Sequence, residues 1–194
     1  MEGKEHLSTT NQQEKKDTPF KEYSFDEGVK ETIRTIELLF NNQDVVVVAI
    51  AGQSGDDTNV GKTFLTNQIS RECANRKISV VTASDTIVLP SRKDLVPIYK
   101  ERGDSNKFII ILGAMSSPGK KSDQEYIERF RNNADLSVRE AGLELGLPLN
   151  KIDIRVLIHR PDQGVKDGDR AYADIVINNE KANPKGPSKI GAER

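Results

Sequence analysis

One stretch combines the residue types and spacing needed to hold phosphate: Gly52-Gln53-Ser54-Gly55-Asp56-Asp57-Thr58-Asn59-Val60-Gly61-Lys62-Thr63. It leaves an apolar run and enters a helical pattern, the context a phosphate-binding loop requires. Glycines let the main chain curl until successive amides converge on phosphate oxygens, and the helix N-terminus adds positive potential. Lys62 reaches terminal phosphates, and the Thr63 hydroxyl can ligate Mg²⁺.

The regular spacing places the first glycine five residues before Gly61, where Asp56 stands. The pattern is recovered if Gly52-Gln53-Ser54-Gly55 joins Val60-Gly61-Lys62-Thr63 and residues 56–59 form a four-residue insertion. Two carboxylates near a triphosphate repel it, so the insertion must loop outward or an Asp must face the metal. A nucleoside triphosphate is the expected ligand; another phosphorylated ligand, or a plain strand-to-helix turn, are the alternatives.

The elements that would carry this loop are legible on either side. Val45-Val46-Val47-Val48-Ala49-Ile50-Ala51 is β-branched and apolar on both faces, as a central parallel strand must be. Leu65, Ile69 and Cys73 space a helix over residues 61–75. Upstream, the capping box Ser24-Phe25-Asp26-Glu27 opens a helix whose buried face is Val29, Ile33, Ile36 and Phe40. Further strands are expected at 78–82, 108–112, 152–158 and 173–177. A second capping box, Ser122-Asp123-Gln124-Glu125, opens a helix with an expected interruption near Asn132-Asn133 and a stop at Gly146 and Pro148. Strands alternating with helices imply right-handed crossovers: an α/β fold with a parallel sheet and helices on both faces.

Composition bounds the rest. Against 29 Lys and Arg stand 30 Asp and Glu, a net charge of −1, so the footprint of a non-specific nucleic-acid binder is missing. The longest apolar run, residues 45–51, is far short of the roughly 20 residues of a membrane span, so no membrane partner is expected. Residues 1–20 are polar, with Leu7 the one aliphatic side chain after Met1 before residue 19, and are expected to form a disordered tail. Residues 21–180 would be one nucleotide-binding domain, and 181–194 a flexible C-terminal tail. No apolar stretch follows the charges of the first six residues, and Cys73 is the sole cysteine; the cytoplasm is the expected compartment.

With Gly52 to Gly55, Gly61-Lys62-Thr63 and the later Ala173-Asp174-Ile175-Val176-Ile177-Asn178-Asn179, the chain resembles P-loop NTPases. Within them it is most similar to the uridine kinase and phosphoribulokinase group of small-molecule kinases. The resemblance spans residues 44–180. It implies a three-layer fold with a five-stranded parallel sheet and the loop strand central, Mg²⁺-ATP as donor, and a nucleoside or sugar hydroxyl as acceptor. It implies that Gly52, Gln53, Ser54, Gly55, Val60, Gly61, Lys62 and Thr63 wrap the phosphates. Asp85, after the second strand of that pattern, would take the acceptor proton and, with Thr63, stand near the metal; a turn-capping role is its alternative. Arg160, Lys166 and Arg170 are the cations available to close over the phosphates, although residues 159–170 are too few for a helical lid. Asn178 and Asn179 fall where related folds place the adenine-side loop.

Two features depart from that pattern. Leu112-Gly113-Ala114 ends the third strand without the acidic residue that often holds the metal's water shell, and the loop carries its insertion. A nucleotide-binding regulator with weak or absent turnover is therefore the principal alternative. A GTPase is the lesser one, because Asn150-Lys151-Ile152-Asp153 spells a guanine-reading tetrad, yet here it precedes a strand instead of following one. His159 is expected to be a satisfied surface imidazole.

Overall fold

The computed structural model describes residues 21–52, 60–83, 107–115 and 117–182. Among the described residues six strands form one sheet: β1 (Glu22–Ser24), β2 (Val45–Gly52), β3 (Ser79–Ala83), β4 (Phe108–Met115), β5 (Ile154–His159) and β6 (Ile175–Asn178). Between them lie α1 (Phe25–Leu39), α2 (Lys62–Asn75), α3 (Gln124–Leu145) and α4 (Asp167–Tyr172). All pairings are parallel, in the order β1-β6-β5-β2-β4-β3.

The expected five strands are thus six. The added member, Glu-Tyr-Ser, pairs Glu22 with Val176 and Ser24 with Asn178 at the sheet edge. Three residues carry no readable period, so only the partner strand reveals it.

Every residue of β2 is buried, and the strand divides the core by alternation. Val46, Val48 and Ile50 face α1 and α2, packing with Val29, Ile33, Ile36, Leu65, Ile69 and Cys73. Val45, Val47 and Ala49 face the other way, toward Val138 of α3 and Leu147 and Leu149 beyond it. Helices therefore cover both faces. Each fully buried aliphatic side chain here contributes about 1.5–3 kcal/mol.

The first capping box forms as expected: the Ser24 N–H and hydroxyl both donate to Glu27 Oε2, at 3.2 and 2.8 Å. These bonds hold the Glu27 carboxyl below its ordinary value. At α3 the cap falls one residue later than expected, with Asp123 Oδ1 accepting from the Tyr126 N–H at 2.9 Å. The helix also runs unbroken through Asn132-Asn133 for 22 residues. Two asparagines lower propensity only modestly, and burial of Ile127 and Val138 on either side of them outweighs that cost. The chain between β5 and β6, expected to be too short for a helical lid, turns once and a half as α4. Its buried Tyr172 packs edge-on against Phe130, centroids 5.3 Å apart, and lies 5.6 Å from the Arg155 guanidinium. Burial pushes the Tyr172 phenol upward. Among the described residues no helix is long and apolar enough to cross a membrane.

Candidate functional site

β2 sends its chain to α2 on one face of the sheet, whereas its neighbours β4 and β5 send theirs to α3 and α4 on the other. Connections that diverge in this way leave a crevice beyond the carboxyl end of the middle strand. The end of β2 is Gly52, and the chain comes back to it at residues 60–62.

That return is tight. A Cβ built on Gly52 would stand 2.8 Å from Val60 Cγ2 and 3.2 and 3.4 Å from Lys62 Cδ and Cε. Only a residue without a side chain allows this approach. The Lys62 stem is folded back over the strand end, and Val60, 1% exposed, closes beneath it. The two ends of the 53–59 segment are therefore held together over the carboxyl edge of the sheet. Gln53, Ser54 and Gly55, expected to wrap the phosphates, lie outside the described residues, as does Asp85.

Gly61 makes the turn into α2 with φ of +93°, the left-handed region that favours glycine. A methyl group there would collide with Asn179 Nδ2. Asn179 is 2% exposed; its Nδ2 donates to the Val60 carbonyl at 2.8 Å, and its own N–H donates to the His159 carbonyl at 2.8 Å. Its Oδ1 is buried and without a partner. Among the described residues no side chain caps the N-terminus of α2, and no acidic residue lies in its first turn. The positive end of the α2 macrodipole thus meets the Lys62 side chain at one point, an arrangement that attracts anions. Thr63 is exposed there.

On the β4 side of this corner stands Ser117, whose hydroxyl donates to the Gly52 carbonyl at 3.4 Å. Behind it, buried Asp169 accepts from the Gly119 N–H, and Gly168 abuts the Lys121 and Gly119 carbonyls so closely that a side chain would strike them. Gly168 and Asp169 therefore fasten α4 to the exit of β4, a role no sequence pattern announced.

The remaining expected residues are placed as follows. Arg160 donates Nε and Nη2 to the two carboxylate oxygens of Asp162, both at 2.9 Å, so its fork is engaged within its own loop. Asn178 ends β6 with its Oδ1 buried and without a partner. His159 is satisfied, as expected, yet buried instead of at the surface. Its Nδ1 faces the carbonyls of Arg160 and Gln163 at 2.9 and 3.1 Å, and its Nε2 faces Glu22 Oε1 at 3.1 Å. Burial follows from β1, which covers the flank that a five-stranded sheet would leave open.

The Asn150-Lys151-Ile152-Asp153 tetrad lies at the opposite end of the sheet, before β5 begins. Its Asp153 sits level with Val47, five residues and so roughly 17 Å, at the usual strand rise, before Gly52. Asp153 exchanges both of its groups with Val47: Oδ2 accepts from the Val47 N–H at 2.8 Å, and its own N–H donates to the Val47 carbonyl at 2.9 Å. It joins β5 to β2, on the wall of an open cavity of about 300 Å³ shared with Asp44, Asn150 and Lys151.

Among the described residues no three His, Cys, Asp or Glu side chains converge as a metal site. No family model fits the chain, and no curated protein aligns with it significantly.

Proposed function

We propose that the protein is an ATP-dependent small-molecule kinase of the P-loop type, similar to uridine kinases, transferring the γ-phosphoryl to a nucleoside or sugar hydroxyl. One observation carries this reading: the Lys62 stem folded over Gly52, at a helix N-terminus entered through left-handed Gly61. The strand order supports it, since β2 lies at the centre of a parallel sheet where a crevice opens at its carboxyl end.

In this reading the phosphates of Mg²⁺-ATP rest on the 52–63 segment. Lys62 bridges the β and γ oxygens, and Thr63 holds the metal together with phosphate oxygens and water. ATP supplies the transferable phosphoryl group, and Mg²⁺ neutralises its charge. Asp85 accepts the proton of the attacking hydroxyl. Such a protein works with a nucleotide and a small acceptor, in the cytoplasm, with no nucleic acid or membrane partner.

A second reading, a nucleotide-binding regulator without turnover, is favoured by the engagement of Arg160 with Asp162 and by the absence of a carboxylate in β4. Calorimetry with Mg²⁺-ATP, paired with transfer assays over a panel of nucleosides and sugars, separates the two. Replacing Lys62 by Ala should weaken ATP binding roughly 10- to 100-fold, the effect of losing a charge-assisted hydrogen bond. Undiminished affinity overturns the proposal. Asp85→Asn should spare binding and reduce transfer; tight binding without transfer to any acceptor leaves the regulator.

A further inference from the structure

Among the described residues, four large apolar side chains stand exposed: Leu38, Phe64, Leu136 and Leu143. Leu38, Leu136 and Leu143 lie along the bodies of α1 and α3, remote from the carboxyl edge of β2. Phe64 is the aromatic one, and it sits in the first turn of α2, two residues after Lys62. It is 52% exposed, while its neighbour Leu65 turns fully into the core.

Its exposure is not slack. Phe64 stacks on Phe25 with centroids 5.1 Å apart and planes 27° from parallel. Phe25 is itself 1% exposed and anchored, its N–H donating to Glu180 Oε2 at 3.1 Å. The ring of Phe64 is thus backed by a fixed aromatic while about half of its surface stays exposed, as a stacking platform requires. Lys181, paired with Asp26 at 2.6 Å, lies 5.1 Å from the Phe25 centroid and holds the end of β6 beside the stack.

A nucleotide whose phosphates occupy the corner at Gly61 must send its base over one flank. On the β4 flank Ser117 lies against Gly52, and no aromatic among the described residues is exposed there. The flank toward β6 and α1 presents Phe64, together with Asn179, whose buried Oδ1 lacks a donor.

We propose that Phe64, supported by Phe25, is the nucleobase platform of this site, so that the ligand is a nucleotide and not a simple polyphosphate or sugar phosphate. The inference rests on the phosphate reading of the corner. Stacking on an open aromatic is tolerant of base identity, so purine and pyrimidine nucleotides should both bind, purines more tightly.

The test measures affinities of the full chain for ATP, CTP and inorganic tripolyphosphate, each with Mg²⁺, for the wild type, Phe64→Ala, Phe64→Tyr and Lys62→Ala. Phe64→Ala should lose roughly 5- to 150-fold in ATP affinity while its tripolyphosphate affinity stays unchanged, and Phe64→Tyr should retain ATP binding. Wild-type ATP affinity no greater than that for tripolyphosphate overturns the platform and leaves the phosphate corner standing. So does a Phe64→Ala variant that binds ATP like the wild type, including one that changes only self-association. Binding of neither ligand, with Lys62→Ala no different, overturns the phosphate corner itself.

Discussion

Replacement of Gly61 by Ala isolates the turn on which the site depends. At φ of +93° an alanine carries about 1–2 kcal/mol of backbone strain. Its methyl group also displaces Asn179 Nδ2, breaking the 2.8 Å bond to the Val60 carbonyl and leaving buried polar groups unpaired, a further cost of about 1–3 kcal/mol. The single variant should therefore lose about 2–5 kcal/mol of stability in urea unfolding. Asn179→Ala alone should lose about 1–3 kcal/mol, because it removes the same bond without the strain. In that background the space is already vacant, so adding Gly61→Ala should cost only the backbone term, about 1–2 kcal/mol. The double variant then falls short of additivity by the energy of the shared bond. If Gly61→Ala costs the same in both backgrounds, to within about 0.5 kcal/mol, the two residues are independent and the locking role of Asn179 is wrong.

Asp135 Oδ1 accepts from the Arg155 guanidinium at 2.7 Å and from the Ile152 N–H at 2.8 Å. Asp135→Ala strands a guanidinium whose side chain is 8% exposed and should destabilise by about 3–5 kcal/mol in the same assay; a change under 1 kcal/mol would show that water replaces the carboxylate. Burial pushes the Cys73 thiol from its ordinary 9.0 up to about 12, so it should resist thiol reagents at pH 8 until the chain unfolds. Because the unfolded thiol ionises first, stability should fall between pH 9 and 12, by up to about 1.4 kcal/mol per pH unit. The wild type should lose stability more steeply over that window than Cys73→Ala, and parallel slopes would refute the assignment.

The primary structure alone determined most of the strands and helices, though not β1 or α4. The β-branched run of β2, the periodic faces of α1 and α2, and the Ser24 cap are local signals, and they act over a few residues whatever the rest of the chain does. It also determined Gly61-Lys62-Thr63 at the mouth of a central strand, because strand, glycine and helix follow one another directly. Tertiary structure decided what those residues meet. Asn179 reaches Val60 only because β6 lies on the β5 side of β2, and Arg160 turns to Asp162 only in the folded loop. The Phe64 ring stays outside because Phe25, from a helix far upstream, stands behind it. β1, too short to carry a period, exists through its pairing with β6 and buries His159 as it does so. Local periodicity records which face of an element is apolar; contacts between distant elements depend on how the sheet orders its strands, and no spacing along the chain encodes that distance.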